Sequence, residues 1–191
     1  MTIGLFFGSF NPIHTGHLII ADYFANNCAL DQVWLIVSPQ NPLKDKATLL
    51  DEKHRLYMCN IAVEDNYKLQ ASNIEFHLPK PSYTIDTLTH LQEKYPDNKF
   101  VLIMGSDNLA SIDKWKNYEL LLKNFTFYIY TRPEFEIKNI PYSGDIHFFE
   151  VPQIFISSSY IRQALKEKKS VRYLVPEVVR THIEEMHFYE K

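Results

Sequence analysis

Cysteine is scarce in this chain: two in 191 residues, Cys28 and Cys59. Each lies inside an apolar periodic segment, so both read as reduced core residues, and the expected setting is cytoplasmic rather than a disulfide-stapled secreted framework. Long apolar runs are missing too. None approaches the roughly 18 residues that a membrane-crossing helix needs, so no membrane partner is expected. The opening "MTIGLFFGSF" has no basic n-region and enters strand-like sequence at once, which speaks against a secretory leader. Neither sign of charge dominates at a formal net charge of -3. No basic stripe appears, so nucleic acid is not an expected partner. There is no internal repeat, low-complexity tract or linker, and we expect a single domain over residues 1–191. What is present, 46% hydrophobic and 23% charged residues, is the composition of an ordinary globular domain with a sizeable core.

Periodicity predicts the architecture. "TIGLFF" (2–7), "QVWLIVSP" (32–39), "KFVLIMG" (99–105) and "TFYIYT" (126–131) are apolar enough for buried strands. "KLQASNIEFHL" (68–78) reads as a strand with partial alternation, and "DIHFFEV" (145–151) as a last strand. Helical spacing is expected over 15–28, 51–65, 83–95, 118–124, 157–169 and 176–189. Asp51 supplies an acidic start to the second of these, and Pro176 suits the first turn of the last. The alternation implies an α/β, Rossmann-like, doubly wound and mainly parallel sheet with helices on both faces. Ligands bind such sheets at the carboxyl ends of the strands. Two long connections, 39–50 and 132–144, are candidates for function.

"FGSFNPIHTGHL" (7–18) follows the first strand and enters the first helix. Gly8 allows a ligand close to the backbone, and the helix start offers N–H groups and partial positive charge. His14 and His17 stand three residues apart, on one face of the helix entrance. Three uses compete. A catalytic zinc wants about three protein ligands, and no acid or Cys partner sits nearby in sequence, so no metal ligands are assigned. A core or capping role is the second. Phosphate binding is the third and fits the helix start best, because an imidazole donates a directed hydrogen bond, more strongly when charged. Near the other end, "ISSSYIR" (156–162) places three hydroxyls at a helix start and Arg162 one turn further in, where it can reach the same anion.

"GSFNPIHTGH" resembles the signature of the nucleotidyltransferase superfamily, whose HxGH motif binds the phosphates of ATP, and "ISSSYIR" resembles its ISSTxIR motif. Further segments resemble the nicotinate-nucleotide adenylyltransferase family, in that family's order and over nearly the whole chain. They are "NPLKDK" (41–46), "PSYTIDTL" (81–88), "GSD" (105–107), "DKWKNYEL" (113–120) and "YTRP" (130–133). The resemblance implies catalytic roles for His14, His17 and Arg162. It implies ATP contacts at Gly8, Ser9, Phe10, Gly105, Asp107, Ser157, Ser158 and Ser159, and mononucleotide contacts at Lys44, Tyr83, Thr84, Trp115 and Arg132. The implied partners are the small molecules ATP and nicotinate mononucleotide. Mg²⁺ would accompany ATP. Two positions depart from the family's GGTFDP: Phe7 replaces a glycine, and Asn11 replaces an aspartate, removing a negative charge beside the triphosphate.

Plainer readings stand beside these. Asp107 could cap the short helix that follows it, Arg132 could pair with Glu134, Lys44 could be solvated, and Thr84 could cap the helix it begins. Tyr83 is expected to pack rather than react. His54, His90, His182 and His187 fall in helical segments as surface or packing residues, and His77 and His147 fall in strands without assigned function. Phosphopantetheine adenylyltransferase shares both phosphate motifs but lacks the "PSYT…W…RP" series. A non-catalytic nucleotide-binding regulatory module would not need His14, His17 and Arg162 intact. The sequence sets no oligomeric state, and a homo-oligomer stays open.

Overall fold

A computed structural model describes residues 1–40, 49–131, 142–152 and 154–190. Six strands form one sheet: β1 (Thr2–Gly8), β2 (Gln32–Val37), β3 (Leu69–Ser72), β4 (Lys99–Gly105), β5 (Thr126–Tyr130) and β6 (Asp145–Phe149). Their order is β3-β2-β1-β4-β5-β6, with every pairing parallel. The chain therefore reverses its direction of winding between β1 and β4, which opens a crevice above the carboxyl ends of those two strands.

Strand alternation builds two cores, one on each face of the sheet. Phe6, Val33, Leu35, Val101 and Ile103 face one side. There they meet α1 (Thr15–Asn27), α2 (Glu52–Val63), α6 (Ser158–Lys166) and α7 (Glu177–Glu185). Ile3, Leu5, Trp34, Ile36, Leu102 and Met104 face the other, against α3 (Thr84–Lys94), the single turn α4 (Ser106–Leu109) and α5 (Tyr118–Asn124). Central strands buried on both faces are why their sequences run almost without polar residues.

Three expectations change. The run 68–78 is a strand only over Leu69–Ser72, and Ile74–His77 forms a 3-10 turn, so His77 is not on a strand. The Ser72 hydroxyl accepts the Ile74 N–H (3.3 Å) and turns the chain off the sheet edge. The last helix ends at Glu185 rather than reaching 189. Left-handed backbone at His187 (φ 53) and Tyr189 (φ 66) turns the following residues back onto the core. Asp107 lies inside α4 rather than before a helix that it caps. Cys28 and Cys59 are both free thiols, the second fully buried.

Candidate active site

The first motif forms a closed local unit. β1 ends at Gly8, and His14 is the N-cap of α1. The His14 Nδ1 accepts the His17 N–H, and the His17 Nδ1 accepts the His14 N–H, each at 3.3 Å. The rings stack with centroids 3.6 Å apart. A main-chain N–H can only donate, so in this geometry each Nδ1 serves as the acceptor of the cap. The Nε2 of each ring is then the nitrogen a ligand would meet. Capping and phosphate binding are compatible, because they use opposite nitrogens. Gly16 is fixed by the same fold: a Cβ there would lie 3.2 Å from the His14 ring. Phe10 holds a left-handed backbone (φ 45) and its ring is 2% exposed. That ring meets His17 edge-on at 5.0 Å and covers Gly8, where a Cβ would stand 2.8 Å from it. Phe10 therefore shapes the turn from below.

The second motif begins α6 directly against the first. Ser157 is the N-cap, its hydroxyl accepting the Tyr160 N–H (3.2 Å). Ser158 donates its hydroxyl to the Pro12 carbonyl (2.9 Å). Arg162 donates to the Asn11 carbonyl (2.8 Å) and to the Ser159 hydroxyl (3.3 Å). Two helix N-termini and a guanidinium so converge on one cleft of about 1410 Å³ at the switch point, lined by Gly8, Ser9, His14, His17, Ser157–Ser159 and Arg162. That exceeds the ~300–1,000 Å³ usual for one small ligand.

The opposite wall carries the rest. Tyr83, Thr84, Asp107 and Trp115 line the same cleft. Thr84 is the first residue of α3, with Tyr83 at the N-cap, so Thr84 offers the cleft its own helix-start N–H rather than a cap. Trp115 is half-buried and packs on the lower core. Lys116 beside it reaches across to Asp86 (2.8 Å) and lies 4.9 Å above the Tyr83 ring, which ties the two segments. Gly105 ends β4 and caps α4, just behind the cleft. Lys44 and Arg132 lie outside the described residues. So do 41–48 and 132–141, the centres of both long connections. Among the described residues no group of three or more His, Cys, Asp or Glu is placed to hold a metal.

Further contacts support the site. Asn11 lines the cleft and is also tied into the fold. Its Oδ1 accepts the Leu50 N–H (3.2 Å) and the Tyr189 hydroxyl (2.8 Å). The substitution thus falls on an anchor inside the fold. Glu75, 2% exposed, takes hydroxyl hydrogen bonds from Ser82 and Thr87, both 2.8 Å, under the start of α3. Burial raises its carboxyl above the ordinary range, outweighing the Ser82, Thr87 and Ser38 hydroxyls that favour the anion. The folded chain then keeps a proton that the unfolded chain releases. Its contribution to stability is full below the unfolded carboxyl range and is lost as pH rises through the raised value. Glu75→Gln should remove that slope. Melting curves from about pH 4 upward should show wild type losing Tm relative to the variant, and a constant difference would refute the assignment.

A parallel α/β sheet with two helix N-termini meeting at its switch point defines a class of phosphate- and nucleotide-binding proteins. The sequence profile described as cytidylyltransferase-like matches residues 5–164. A protein of Flavobacterium psychrophilum named "Probable nicotinate-nucleotide adenylyltransferase" is 50% identical over 100% of both chains. A protein of Cytophaga hutchinsonii with the same name is 48% identical over 99% of this chain and 98% of its own. The fold matches the Plasmodium falciparum nicotinic acid mononucleotide adenylyltransferase complexed with NaAD, at TM-score 0.83 and 23% identity, covering 99% of this chain and 97% of that one. The chain belongs to the nicotinate-nucleotide adenylyltransferase family, within the cytidylyltransferase-like group. No helix among the described residues is long and apolar enough to cross a membrane.

Proposed function

We propose that this chain transfers AMP from ATP to nicotinate mononucleotide, giving nicotinate adenine dinucleotide and pyrophosphate, as a cytoplasmic step of NAD biosynthesis. The convergence of the His14–His17 turn and the Ser157–Arg162 helix start on one cleft carries the reading. The relatives at about half identity carry names for this activity. The mononucleotide's phosphate is already ionised near neutral pH, so no general base is required. One of its oxygens bonds to the α-phosphorus, and the bond from that phosphorus to the bridging oxygen breaks. Pyrophosphate leaves with the electron pair, and no covalent enzyme intermediate forms. Catalysis is then positioning and charge stabilisation. The Nε2–H of His17, with His14 beside it, serves the α-phosphate. Arg162 and the start of α6 hold the leaving pyrophosphate. Mg²⁺ would accompany ATP and offset the charge of its phosphates.

Thr84 and the first N–H groups of α3 receive the pyridine carboxylate, and Trp115 takes the ring face. A turnover assay following pyrophosphate tests the reading. Release should require ATP and nicotinate mononucleotide together, and its absence with both present would overturn it. Trp115→Ala should raise the KM for the mononucleotide about 10-fold, since stacking on an aromatic ring is worth ~1–3 kcal/mol. The KM for ATP should stay unchanged. An unmoved mononucleotide KM would transfer the stacking role to another side chain.

A further inference from the structure

Arg55 lies on α2 with no exposed surface, on the face it shares with Met58 and Cys59. None of the ion pairs among the described residues includes it. Its guanidinium instead donates to four main-chain carbonyls. The Nε reaches Leu50 (2.8 Å), one terminal nitrogen reaches Ser9 (2.5 Å) and Ser38 (2.8 Å), and the other reaches Pro39 (3.1 Å). These carbonyls belong to two places. Ser9 is in the phosphate turn. Ser38 and Pro39, which follow β2, and Leu50, which precedes α2, form the second. The Leu50 N–H also donates to Asn11 of the same turn (3.2 Å).

We propose that Arg55 is a positioning residue that fixes the phosphate turn to the residues after β2 and before α2, so that the ATP side of the cleft is held in place. The proposal rests on the function given above. The chemistry selects arginine. A planar fork with five N–H donors can serve carbonyls lying in different directions, whereas the three donors of an ammonium radiate from one atom. Each carbonyl is main chain and sits around a buried group, so losing its donor leaves an acceptor to be satisfied by movement of the turn itself. The guanidinium remains charged in the buried site, and it places positive potential directly beneath the turn that meets the triphosphate.

The test compares wild type, Arg55→Lys and Arg55→Ala. Folding is followed by circular dichroism, ATP affinity by titration with a non-hydrolysable ATP analogue, and catalysis by steady-state kinetics in both substrates. We expect folded Arg55→Lys to bind the analogue about 10-fold more weakly and to show a raised KM for ATP with a lower kcat. Millimolar guanidinium should restore part of the activity of Arg55→Ala, and methylammonium should not. If Arg55→Ala does not fold, the kinetics of Arg55→Lys decide. Wild-type analogue affinity and a wild-type KM for ATP in folded Arg55→Lys would overturn the proposal. So would a fall in kcat that only tracks lost folded protein, with the KM for ATP unmoved and no response to guanidinium. The analogue titration needs no mononucleotide, so it still reads Arg55 if the assigned second substrate proves wrong.

Discussion

His17→Ala lowers kcat by about 10²–10³-fold, the usual loss when one preorganised transition-state donor is removed. The expectation rests on the reciprocal cap, which aims the His17 Nε2–H into the cleft by holding its Nδ1 on the His14 N–H. The same cap complicates the reading, because alanine also deletes a helix-start bond, at a cost of about 1 kcal/mol. His17→Glu separates the two effects. A Glu at the third helical position restores a capping-box acceptor for the His14 N–H. It brings a negative charge to the phosphate site instead of a donor. We expect His17→Glu to recover thermal stability relative to His17→Ala and to remain at least as inactive. Near wild-type kcat in folded His17→Ala would remove the histidine from the mechanism.

The second large effect concerns substrate choice. The acid, nicotinate mononucleotide, should exceed the amide in kcat/KM by about 10²-fold or more. The start of α3 presents N–H groups and partial positive charge. A hydrogen bond to a charged group is worth ~1.5–3 kcal/mol, and two such donors read a carboxylate but meet the amide's own N–H₂ on one side. Glu75 sits beneath this wall and accepts from the Ser82 and Thr87 hydroxyls. Steady-state kinetics with both mononucleotides decide the matter, and equal use would refute the carboxylate-reading wall.

The central strands and the two helix-start motifs were legible because each is local. An apolar run needs no partner to be recognised, and the glycine between the two histidines is dictated by the His14 ring, 3.2 Å from where a Cβ would stand. Ser157 at the α6 N-cap and Thr84 at the start of α3 follow from sequence position alone. What escaped depends on tertiary placement. Nothing in "SNIEFH" announces that a serine hydroxyl ends the strand, or that Glu75 is buried by residues from α3. Arg55 did leave a trace: it falls one turn from Met58 and Cys59, a charge on the apolar face of its helix. Tyr189 left none, since only the left-handed turns at the chain's far end bring it to Asn11. Asn11 was read against an aspartate at a ligand site, and its partners lie 39 and 178 residues away.

The contacts that join the two motifs, Ser158 to Pro12 and Arg162 to Asn11, span 146 and 151 residues of sequence. During synthesis the histidine turn leaves the ribosome early, and it waits for α6 before the cleft between the two motifs exists. Early strands can pair before then, but closing so long a loop is a late and slow event. A nascent or truncated chain lacking α6 therefore lacks one wall of the cleft, Ser157–Ser159 and Arg162. On the function proposed above, turnover waits for the last fifth of the molecule.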